Sequence, residues 1–172
     1  NIIESGLFYS QDPSSVFKKN LMTLLGVCHI DHLQWLKNKT IDGIIHEKTS
    51  KLLNSNIFVN KQICEDIRFK IEKALKKNTS NKYYFGRDFN ILRKENNFIH
   101  YQDSKGEMLL PEPNLIGDHQ LFNISTTIAA SRMLFNVEDK TIKNAVVKIK
   151  LKGRLEEIKS GKLKNMIGKN RL

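Results

Sequence analysis

Residues 21–28 read LMTLLGVC, a short and nearly unbroken apolar run. Such runs suit strands buried on both faces of a parallel sheet. The stretch from Thr40 to Leu53 follows, with Ile41, Ile44, Ile45 and Leu52 on one helical stripe. NIFVN (56–60) then reads as a second strand. KQICEDIRFKIEKALKK (61–77) reads as a second amphipathic helix, with Ile63, Ile67, Ile71 and Leu75 on one face. The opening NIIESG reads as another strand end, carrying Glu4 and Gly6 at its tip. Residues 1–77 thus alternate strand and helix, which predicts a parallel α/β sheet.

Beyond this point the texture changes. KYYFGRDFNILRKENNFIHYQDSKGEMLLP (82–111) is rich in aromatic and β-branched residues, broken by ENN and DSKG. It predicts antiparallel hairpins, the second turning at Asp103–Gly106. PEPN (111–114) is a rigid connection. Residues 117–135 read as a helix capped near Asp118. Residues 138–151 read as another, with Ile142, Ala145, Val146 and Ile149 in phase. Residues 153–163 return to short strand or loop. No internal repeat and no low-complexity linker interrupts the chain.

The chain has 172 residues and is 40% hydrophobic, enough for one domain with a real core and too apolar for disorder. No run approaches a membrane span. The two cysteines, Cys28 and Cys64, fit neither a metal pattern nor a disulfide framework, and a reducing cytoplasm suits them. The net charge is +11. That fits a nucleic-acid binder or an enzyme of polyanionic substrates such as nucleotides. The basic residues are spread along the chain and no nucleic-acid motif is present, so nucleic acid is not the expected partner. A non-catalytic basic remnant, acting as an interaction module, is the alternative reading. There is no G-x-x-G-K-[ST] phosphate loop. A strand that starts at residue 1 and a tail that leads nowhere obvious give the expectation of a piece of something larger.

Two features carry chemistry. Lys48 falls on the apolar stripe of the 40–53 helix, three after Ile45 and four before Leu52. An ammonium there must snorkel, pair or change its chemistry. His29, Asp31 and His32 follow the first apolar run at once, and ligands bind at the carboxyl ends of parallel strands. They are placed for a metal or a phosphate; equally, one caps a turn and the others face water. Glu4, at the other strand tip, is a carboxylate that could hold Mg²⁺ with water and phosphate oxygens.

Taken together, several stretches resemble the folylpolyglutamate synthase / dihydrofolate synthase family of the Mur-ligase-like ATP-dependent amide ligases. IIESGL is similar to that family's strand ending in Glu-x-Gly-Leu, and GVCHIDHLQWLKNKTIDGIIHEKTSKLL to its Asp-His stretch with the following Glu-Lys helix. YFGRDF resembles its Gly-x-Asp-Phe segment, LPEPNLIGDHQLFNISTTIAASRML its Gly-x-His-Gln helix, and KGRLEEI its Gly-Arg element. The order and spacing are the family's from end to end.

The resemblance implies an incomplete Mur-ligase central domain: an α/β fold, mostly parallel sheet flanked by helices, with a small antiparallel section. Residues 1–151 would be the ATP-binding part, without its first strand and phosphate loop, and residues 152–172 a linker towards a C-terminal domain. Lys48 would be the catalytic lysine, carbamylated so that its new carboxylate organises Mg²⁺ together with Glu4 and His32. Asn123 would contact the nucleotide and Arg154 its phosphates. His119 and Gln120 would pack at the helix start. The reaction implied is ATP-dependent: dihydropteroate or folate is activated as an acyl phosphate, and L-glutamate displaces the phosphate to form an amide. A related ligase with a different acceptor is a further alternative. The sequence departs from the family after Gly6, where LFYSQDPSSVF replaces a Gly-Gly-Arg-Leu continuation, and after Lys48, where Thr49-Ser50-Lys51 replaces Ala-Gly-Ile. The missing parts would come from the rest of the enzyme, and the chain alone is expected to be inactive.

Overall fold

The structure, a computed structural model, describes residues 1–150 of the 172. Its centre is β2 (Asn56–Val59), the middle strand of a three-stranded parallel sheet. β1 (Met22–Leu25) pairs on one side and β3 (Asn81–Tyr84) on the other, with Val59 opposite Leu25 and Tyr84. Side chains alternate across a strand, and β2 is apolar on both faces. Ile57 and Val59 join Ile45, Ile71 and Leu75 in one core. Phe58 joins a second core with Ile124, Ile128 and Ala129.

The first of these cores lies under α1 (Ile41–Thr49) and α2 (Glu65–Ala74). Thr40 caps α1, its hydroxyl accepting from the Gly43 N–H at 3.1 Å. Gly43 is required there, because a Cβ would overlap the Asn38 carbonyl. The helix stops at Thr49, so Leu52 reaches the core from the following turn. Likewise α2 begins at Glu65, leaving the predicted stripe member Ile63 exposed ahead of it.

Two segments differ from expectation. NIIESG forms no strand; Ile2 is 99% exposed. A strand needs a partner, and this segment takes none. The chain instead turns on Asp12, whose carboxylate accepts from the Gly6 and Ser14 N–H groups at 2.7 and 2.8 Å. Phe8 is thereby buried against Leu36 and Ile44. The second difference is residues 81–84, which form the third parallel strand rather than a hairpin arm. The direction reverses after them, where Gly86 adopts φ +84° and Asp88 accepts the Tyr84 N–H at 2.7 Å.

The antiparallel section is a meander of β4 (Phe89–Glu95), β5 (Phe98–Asp103) and β6 (Gly106–Pro111). Its second turn falls at Asp103–Gly106 as the sequence predicts. With three strands it is as large as the parallel sheet. Between the two sheets runs α3 (Asp118–Leu134), buried around most of its circumference and touching β1, β2 and β4. Small residues at Ser125 and Ala129 bring it close to the strands. Gly117, not Asp118, occupies the cap position, and no side chain caps the helix. α4 (Asp139–Lys148) buries Ile142 and Val146 but leaves Ala145 exposed. Arg154, residues 153–163 and the 151/152 boundary lie outside the described residues.

Candidate functional site at the carboxyl edge of the parallel sheet

β1 and β2 both deliver polar groups at their carboxyl ends. After β2 come Asn60, Lys61 and Gln62. Gln62 ties the two strands together: its Oε1 accepts the Cys28 N–H at 2.9 Å, and its Nε2 donates to the Asn60 carbonyl at 2.8 Å and the Gly26 carbonyl at 3.3 Å. Asn60 reaches α3 instead. Its Nδ2 donates to Asn123 Oδ1 at 2.7 Å, and its Oδ1 accepts from Thr126 Oγ1 at 3.1 Å. Asn123 Nδ2 continues to Gln120 Oε1 at 3.3 Å, and Gln120 Nε2 lies 3.0 Å from His119 Nε2. Lys61 Nζ sits 4.2 Å from the centre of the Phe122 ring, a cation held on an aromatic face.

The start of α3 is shaped for this arrangement. Gly117 has φ +105°, and a Cβ on it would lie 2.6 Å from His119 Cε1. Glycine therefore lets the imidazole lie back over the chain. Helix-start packing, the role expected of His119 and Gln120, describes His119; the buried Gln120 also belongs to the polar chain from Asn60.

The residues after β1 stand further out. His29, Asp31 and His32 are exposed. One carboxylate oxygen of Asp31 lies 3.6 Å from His29 Nε2 and 3.4 Å from His32 Nε2. His32 is left-handed, at φ 53°, and starts a short 3-10 turn over Leu33–Trp35. Lys48 is half-buried on α1, on the face the stripe predicts, and forms no hydrogen bond or ion pair among the described residues. Its charge acts on Cys28, which is fully buried; burial pushes that thiol up and the Lys48 ammonium partly offsets it. Glu4 is exposed in the extended opening segment. Beside Lys48, Glu47 holds the N-terminal turn through Ser10 Oγ and through Gln11 Nε2 at 3.3 Å.

Among the described residues no three His, Cys, Asp or Glu side chains are gathered so as to hold a metal ion. Mg²⁺ commonly takes only one or two protein carboxylates and completes its octahedron with water and phosphate oxygens. By chemistry alone the Glu4 carboxylate suits such an ion; Lys48 as an ammonium repels one and suits it only if its amine carries a carboxylate. A wider groove between α1 and α2 lies elsewhere, and there Lys70 is already paired with Asp42 at 3.5 Å and Asp66 at 3.3 Å. No helix of the described residues is long and apolar enough to cross a membrane.

Sequence reasoning overlooked Asn60, Gln62 and Thr126. The signal was available, because NIFVN ends in asparagine at the carboxyl end of a parallel strand, where ligands bind.

The fold defines the class: a parallel α/β layer whose polar groups collect at the carboxyl edge of its strands. No protein-family profile and no curated protein sequence matches the chain. Solved structures do. Over 92% of this chain, the apo form of L. casei FPGS superposes with a TM-score of 0.74 at 20% identity. E. coli FolC in complex with DHPP and ADP matches 90% with a TM-score of 0.75 at 19% identity. M. tuberculosis folylpolyglutamate synthase complexed with ADP and AMPPCP matches 88% with a TM-score of 0.73 at 17% identity. The chain therefore has the fold of part of these synthases, spanning 40%, 36% and 36% of their respective lengths.

Proposed function

We propose that the chain is the central part of an ATP-dependent, amide-forming ligase of folate metabolism, which adds L-glutamate to dihydropteroate or to folate. The observation that carries this reading is the fold match over nine-tenths of the chain to structures holding ADP, AMPPCP, DHPP and folate. The ordered motifs agree with it. In this reading the nucleotide base lies against Asn123, and Arg154 meets the phosphates. ATP transfers its terminal phosphoryl group to the substrate carboxylate, giving an acyl phosphate and ADP. The amino group of L-glutamate attacks the acyl carbon, phosphate leaves, and the amide forms. Glu4, His32 and a carbamylated Lys48 would hold Mg²⁺, which neutralises charge on the phosphates when bound. Lys48 then acts as a carboxylate beside the sheet edge, and its half-buried position limits the water around it. The cytoplasm is the expected compartment.

The test uses the protein at whatever length its native source makes it. ADP release should require dihydropteroate or folate together with L-glutamate. Asn123→Ala should raise KM for ATP by about tenfold, the loss of one directed hydrogen bond. Lys48→Ala should abolish turnover. ADP release indifferent to both carboxylate substrate and glutamate would rule the reading out.

A further inference from the structure

The polar chain at the sheet edge has a direction, and one backbone group sets it. The Lys61 N–H donates to Asn60 Oδ1 at 2.7 Å. A backbone N–H can only donate, so that atom of Asn60 must be the carbonyl oxygen. Its other side-chain atom is then the NH₂, and the group it meets at 2.7 Å must accept, which makes it Asn123 Oδ1. Asn123 in turn has only its NH₂ left to offer. One of those hydrogens goes to Gln120 Oε1 at 3.3 Å. The second has no acceptor among the described residues. Gln120 consequently points its own NH₂ at His119 Nε2, 3.0 Å away. An imidazole nitrogen that accepts carries no proton, so neutral His119 holds its proton on Nδ1.

We propose that Asn60 is the positioning residue of this site. It locks Asn123 so that α3 presents an N–H donor, never a carbonyl, to the groove between α3 and α4. That groove has a volume of about 320 Å³ and is lined by Gln120, Asn123 and Thr127 among apolar side chains such as Ile124, Ile128 and Ile142. A largely apolar slot into which Asn123 directs a donor takes a heteroaromatic ring through a ring-nitrogen acceptor. A purine base answers that description, and this last step rests on the nucleotide reading of Asn123. Asn60 is nearly fully buried, so its amide is shielded from exchange with water partners and its orientation holds.

The test reads the far end of the chain. Long-range ¹H–¹⁵N spectra of the full chain, at a pH well above the ordinary imidazole range of about 6.5, should show His119 mainly as the Nδ1–H tautomer. Free imidazole prefers Nε2–H, so an Nε2–H majority in the unsubstituted chain would overturn the proposal. Asn60→Asp keeps the acceptor for Lys61 and Thr126 but removes the donor to Asn123. Asn123 and Gln120 should then both rotate, and His119 should switch to Nε2–H. A folded Asn60→Asp chain with the tautomer unchanged would also overturn it. If that variant fails to fold, Gln120→Glu reads the last link: it leaves an acceptor facing His119 and must also give Nε2–H. ADP binding separates the two claims. A tautomer switch with about tenfold weaker ADP binding supports both. A tautomer switch with unchanged ADP binding upholds the positioning chain and refutes the placement of the base at Asn123.

Discussion

Arg132 enters the interior with a side chain only 7% exposed, and its Nη1 has no partner among the described residues. Its Nε lies 3.5 Å from Asp103 Oδ2, which also accepts the Tyr101 hydroxyl at 2.9 Å. The group joins α3 to β5 across the second core. Removing one member of a buried pair strands the other, so Arg132→Met should destabilise the fold by about 3–5 kcal/mol in urea unfolding. Replacing Asp103 by Asn in the same chain removes the stranded charge while keeping acceptor capacity for the Tyr101 hydroxyl and the Lys105 N–H, and should recover much of that loss. A second prediction concerns Tyr84, whose phenol is pushed up to about 12, first by burial and then by the charge of Glu72. The unfolded phenol ionises at about 10. Between those values the unfolded chain has lost a proton that the folded chain keeps. Stability is therefore full below pH 10 and falls as pH rises through the window, by at most about 1.4 kcal/mol per pH unit from this group. Tyr84→Phe should flatten that slope in alkaline unfolding curves. Neither buried group was legible in the sequence, because burial of a charge depends on contacts between residues far apart in the chain. The phase of Lys48 was legible: it falls on the apolar stripe of the helix, and the structure leaves it half-buried, with its charge felt by the Cys28 thiol.

At the scale of elements, periodicity carried furthest where a stripe was long. α1, α2, α3 and α4 all lie inside the stretches that predict them. Their ends shifted because caps and turns, not stripes, decide where helices stop. Residues 81–84 defeated the reading for a different reason. Aromatic and β-branched residues favour strands of either kind, and only pairing with β2 makes this one parallel. The β4–β5 turn shows what local chemistry does settle. Asn96 and Asn97 both adopt positive φ, 48° and 62°, as a two-residue hairpin turn demands. Glycine fits the second of these positions better than any side chain. Asn97→Gly should therefore raise stability by a few tenths to about 1 kcal/mol, read as a higher urea midpoint with an unchanged slope.

For the whole molecule, α1 and α2 cover one face of the parallel sheet, and α3 separates its other face from the antiparallel meander. This layering makes the carboxyl edge the place where strand ends and the start of α3 converge. The sequence pointed to that edge through His29, Asp31 and His32 after the first strand, and the family resemblance pointed to the start of α3 through Asn123. The place of Asn60 at the end of β2 was readable, but its contact with Asn123 across 63 residues of chain was not. β1 has no partner on its outer side among the described residues, and Leu21 and Leu24 stand exposed there. The proposed site for an adenine nucleotide is the carboxyl edge together with the α3–α4 groove. The most direct measurement is a titration with Mg·ADP followed through ¹⁵N spectra of the full chain. The side-chain amides of Asn60, Gln120 and Asn123 should shift together, while the backbone signals of Lys70 and Lys73 in the α1–α2 groove stay put. Shifts confined to Lys70 and Lys73, or no shift at all in millimolar nucleotide, would contradict it.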